Sequence, residues 1–159
     1  METLDHKKDP YNPSWWNVAF MPSNEKSWWD FLTKTWCRHV LAYGYVQRIN
    51  SWVVVNPARY KTVVSIIPDD EFTDYLTYIV SEKSTILQIK GGVSKLHHQR
   101  ILQNCSTVVA RVIGIEGKAL TPLMLFRTLK ANNATVKTDP YNVDKVRSSR
   151  RRSRNNSAP

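Results

Sequence analysis

The sequence predicts a mainly β fold, a small five-stranded barrel with flanking helices, and three observations carry that expectation. Runs rich in β-branched and aromatic residues recur between short turn signals. Glycine falls inside or at the end of such runs, at Gly44 and at Gly91-Gly92, where a barrel strand bulges or bends. The elements read in the order helix, three strands, helix, two strands. At 159 residues, with 42% apolar and 23% charged side chains, the chain is sized for one ordinary globular domain rather than two.

Residues 1–24 are broken by Pro10, Pro13 and Pro22 and read as an irregular leader. Ser23 or Asn24 is suited to cap a helix from Glu25, along which Trp28, Leu32 and Trp36 recur at helical spacing to give a Trp-rich face. Val40–Ile49 then reads as a strand with Gly44 at a bulge or bend, Trp52–Asn56 as a second strand ended by Pro57, and Tyr60–Ile67 as a third. Asp69, Asp70 and Glu71 place negative charge where a helix N-terminus favours it, and Phe72, Tyr75, Leu76, Ile79 and Val80 continue the helical period to about 81. Thr85–Lys90 and Thr107–Ile115 read as the last two strands, and 121–130 is ambiguous between helix and strand, Pro122 being tolerated in a first helical turn. The folded domain is expected over 25–131. Residues 132–159 are too polar to bury a core and read as a disordered basic tail.

The run Ile89-Lys-Gly-Gly-Val-Ser-Lys-Leu-His-His-Gln-Arg-Ile101 resembles the strand-four hairpin of the OB-fold subunits of replication protein A and of the telomeric CST complex. Leu41-Ala-Tyr-Gly-Tyr-Val-Gln-Arg-Ile49 is similar to the first strand of that family, with its central glycine. The resemblance spans roughly residues 25–115. It implies a five-stranded OB-like barrel with a helix between strands three and four, and a DNA-binding role within a protein complex at chromosome ends. Fly telomere-capping proteins are one home the resemblance suggests.

Enzymatic chemistry is not expected from the sequence. The histidines are His6, His39, His97 and His98, and no Gly-x-Ser-x-Gly, His-Glu-x-x-His or phosphate-cradling glycine loop is present. Cys37 and Cys105 read as free, mostly buried thiols of a reducing compartment. Cys37-x-His39 with Cys105 and His97 lacks the spacing of a convincing zinc site, and the acids at 69–74 read as a helix start, so no metal or cofactor is expected. No charged leader followed by an apolar run opens the chain and no stretch approaches about 18 apolar residues, which reads as a soluble intracellular protein without a membrane partner.

Single-stranded nucleic acid needs aromatic rings, worth about 1–3 kcal/mol per stacked base, beside cations that follow the phosphates. The candidates are Tyr43, Tyr45, Trp52 and Tyr60 with Arg48, Arg59, Lys61, Lys90, Lys95, His97 and Arg100; barrel packing is the alternative role for the rings. The net charge of +10 is uneven: residues 145–159 hold six cations and no acid, and the other 144 residues carry a net of +4. Arg147, Arg150, Arg151, Arg152 and Arg154 form a cluster suited to nuclear localisation or to a nucleic-acid arm. Trp15, Trp16, Trp28, Trp29 and Trp36 are a candidate partner interface, tryptophan being enriched at binding hot spots. The expectation is a non-enzymatic nuclear subunit that binds single-stranded DNA or RNA alongside other proteins. An assembly subunit without nucleic-acid contact, and a small viral or organellar packaging protein, are the alternatives.

Overall fold

The computed structural model describes residues 11–22, 35–58, 61–92, 104–115 and 119–138. Its strands are β1 (Trp15–Met21), β2 (His39–Val46), β3 (Ser51–Pro57), β4 (Thr62–Pro68), β5 (Thr85–Lys90) and β6 (Thr135–Thr138). Its helices are α1 (Phe72–Ser81), α2 (Cys105–Val112) and α3 (Pro122–Ala131). The strands form one antiparallel sheet in the order β4-β3-β2-β1-β5-β6. The mainly β character with helices holds. The barrel does not: β4 and β6 are separate edges and the sheet is open.

The sheet has no need to close because helices cover both of its faces. On one face Val18, Phe20, Val40, Ala42, Val55 and Leu87 meet Val109, Ala110 and Ile113 of α2 and its turn, and Leu125, Phe126 and Leu129 of α3. On the other face Ala19, Met21, Leu41, Tyr43, Val54 and Ile86 meet Phe72 and Ile79 of α1. A strand sandwiched in this way buries successive side chains, so it reads as a continuous apolar run instead of an alternating one. β1 is that strand. Its Trp-Trp-Asn-Val-Ala-Phe-Met lies inside the stretch expected to be an irregular leader, yet it pairs with β2 on one side and β5 on the other. Pro13 and Pro22 flank the strand without interrupting it.

Other expectations are corrected as well. Thr107–Ile115 does not form a strand; Cys105–Val112 is helical despite Thr107, Val108, Val109 and Val112. Asn104 caps it, its side chain accepting from the Thr107 amide at 3.0 Å while the Thr107 hydroxyl accepts from the Asn104 amide at 3.0 Å. Local capping and burial on one side outweigh β-propensity here. Gly44 is not a bulge, since it pairs in regular register with Trp16 and Val53. It is glycine because a Cβ there would stand 2.5 Å from Pro13 Cβ. Residues 135–138, expected in the disordered tail, pair with β5, and the Thr138 hydroxyl donates to the Ser84 carbonyl at 2.9 Å. The ambiguous segment is the helix α3, capped by Thr121 with Pro122 in its first turn. The Trp-rich helix from Glu25 and the tail from 139 onward lie outside the described residues. Among the described residues no helix is long and apolar enough to cross a membrane.

Candidate functional site

β2 and β3 are neighbours and antiparallel, so the first residue of β2 and the last residues of β3 meet at one end of the sheet. There His39 Nε2 lies 2.7 Å from Asn56 Oδ1. An amide oxygen only accepts, so Nε2 carries the proton and Nδ1 is left with its lone pair. α2 packs over β2 and β3 from the other direction, and its first residue is Cys105. Val40, one residue beyond His39, and the first residues of α2 surround the Cys105 thiol, and Cys105 Sγ lies 4.0 Å from Ser106 Oγ. In the regular β1–β2 and β2–β3 registers His39 alternates with Val40 and Asn56 with Val55, so the imidazole–amide pair lies on the face covered by α1, whereas Cys105 packs with α2 against the other face.

The position of Cys105 is fixed from its own turn outward. Besides capping α2, Asn104 donates through Nδ2 to the Leu120 carbonyl at 2.7 Å, tying the start of α2 to the segment that leads into α3. Ser106 is fully buried beneath the thiol, and Val109 and Ala110 anchor the following turn in the core. Burial pushes the Cys105 thiol above the usual range, and the surrounding hydrogen bonds pull in the opposite direction without cancelling it. The thiol is therefore protonated at neutral pH. Cys37, the other free cysteine, is fully buried.

The residues proposed from the sequence for nucleic acid are only partly gathered. Tyr43, Tyr45 and Trp52 share the face covered by α1. Tyr43 is buried between Trp52 and Phe72, with ring centroids at 6.0 and 5.4 Å, and burial pushes its hydroxyl up to about 12. Trp52 stacks on Phe72 at 4.1 Å, lies 5.3 Å from the Tyr45 ring and donates through Nε1 to Asp69 at 2.7 Å. Arg48 sits over the Tyr11 ring at 4.7 Å in the turn between β2 and β3, whereas Lys61 is exposed at the opposite end of β3. Lys90 is exposed opposite Trp15, on the far side of β1. Arg59, Tyr60, Lys95, His97, Arg100 and the arginines of 147–154 lie outside the described residues. Of the proposed partner interface, Trp15 is half exposed, Trp16 is buried, and Trp36 packs edge-on against Phe126 at 5.2 Å; Trp28 and Trp29 lie outside the described residues.

The His39–Asn56 contact was missed by the sequence reading, since nothing in the spacing of the two residues shows that they meet. Asn104-Cys105-Ser106 opens a helix that resembles a strand by composition. No family model, no curated protein and no solved structure matches the chain.

Proposed function

We propose that the chain is a non-enzymatic nuclear subunit that binds single-stranded DNA or RNA through a basic arm, alongside other proteins. The carrying observation is the run of six cations without an acid in 145–159, which suits contact with phosphates.

Titration with oligo-dT, with and without residues 145–159, tests that arm. An affinity and salt slope unchanged by the truncation argue against it.

A further inference from the structure

β4 is an edge strand without the usual defences. It pairs with β3 in unbroken register from Thr62 to Pro68, so no bulge turns its free edge away. Between Thr62 and Ile67 it carries no charge, although charged side chains are the common protection of such an edge. Its side chains are apolar in the open: Val64 is 61% and Ile66 65% exposed, on the same face as Val55 and Val53, and Val63 is 38% exposed on the other.

We infer that β4 is the seam of a homodimer, in which two copies pair antiparallel about a two-fold axis at Ser65 and join their sheets. The occupant is a second copy because the strand is complementary to itself. With Ser65 on the axis, Val64 lies opposite the partner's Ile66 and Val63 opposite the partner's Ile67, so each apolar row meets an apolar row on the same face. Lys61 lies opposite the partner's Asp69, and both side chains are exposed. The symmetry repeats that opposite-charge pair at each end. An axis at Val64 sets Lys61 against the partner's Ile67, and an axis at Ile66 sets Asp69 against the partner's Val63, so charge as well as apolar pairing selects the register at Ser65.

The test is sedimentation velocity on the full chain across a concentration series reaching about 100 µM, a range that detects a micromolar dimer. Wild type is expected to pass from monomer to twice the monomer mass, and Ile66→Lys, checked for native circular dichroism, to stay monomeric throughout. Register is read by cross-linking: under mild oxidation Ser65→Cys is expected to give a disulfide-linked dimer above the wild-type background, and Thr62→Cys, opposite the partner's Pro68, is not. A wild type that stays monomeric, leaving the edge to some other extended chain, overturns the inference. So does a dimer that Ile66→Lys leaves intact, or one that Thr62→Cys captures in place of Ser65→Cys.

Discussion

His39 and Asn56 stand 17 residues apart in the chain and are joined by a 2.7 Å hydrogen bond between the ring and the amide. The bond ties the first residue of β2 to the end of β3. Asn56→Ala removes one partner of this part-buried pair and is expected to cost about 1 kcal/mol in urea unfolding, with native circular dichroism retained. Asn56→Gln, which can restore the acceptor through a longer arm, is expected to recover part of the loss. An unchanged midpoint in Asn56→Ala would remove the tie.

The pH dependence of Cys105 reports its burial. Burial raises its pKa, so the thiolate is scarce at neutral pH and its fraction grows as pH rises toward a point above the ordinary thiol range. The rate of iodoacetamide labelling at Cys105 is expected to climb roughly tenfold per pH unit through the neutral range. A rate that has levelled off by pH 7 would contradict it.

Tyr43 makes alkaline pH destabilising. Its folded hydroxyl is held near 12 and its unfolded one ionises near 10, so its contribution is complete below pH 10 and is lost as pH rises through about 12. Urea midpoints are expected to fall between pH 10 and 12 in wild type, and to fall less in Tyr43→Phe. The difference amounts to about 2 kcal/mol at most.

Asn104 joins stability to reactivity. Asn104→Ala loses the cap of α2 and the bond to the Leu120 carbonyl, and is expected to cost about 1–2 kcal/mol in thermal or urea unfolding. Because Cys105 follows directly, its labelling rate should fall as well. Asn104→Ser, which keeps a capping oxygen but cannot reach Leu120, separates the two effects.

Gly44→Ala tests the packing of the segment before β1 on the sheet. The new methyl would meet Pro13 and the Trp15 carbonyl, the latter at 2.9 Å, and overpacking of this kind costs about 1–3 kcal/mol. Pro13→Ala in the same chain is expected to return part of that loss; no return would place the strain elsewhere.

Much of the sheet was legible because β2, β3, β4 and β5 each carry β-branched or aromatic runs between turn residues, and α1 shows its acids and its helical period openly. β1 was not, because a strand buried on both faces loses the alternation that marks half-buried strands, and nearby prolines suggested irregular chain. α2 was hidden by its valines and threonine, whose intrinsic preference is overruled by a two-residue capping box and by the sheet beneath. With Thr107–Ile115 read as a strand and Cys105 outside it, the place of Cys105 at a helix start was not seen. The contact between His39 and Asn56 depends on the β2–β3 register, which single residues do not encode.

The central position of β1 sets the order in which this molecule can be assembled. Residues 15–21 are made before Thr85–Lys90, one of their two neighbours in the sheet, so β1 waits until residue 90 has emerged before that side is occupied. Until then the β1–β4 meander is a half-sheet whose β1 edge is apolar and unpaired. A nascent chain halted between α1 and β5 would thus display its stickiest strand to its surroundings. Because β1 is the strand that pairs with both β2 and β5, removing it would leave the β2–β4 meander and the β5–β6 pair without a common strand.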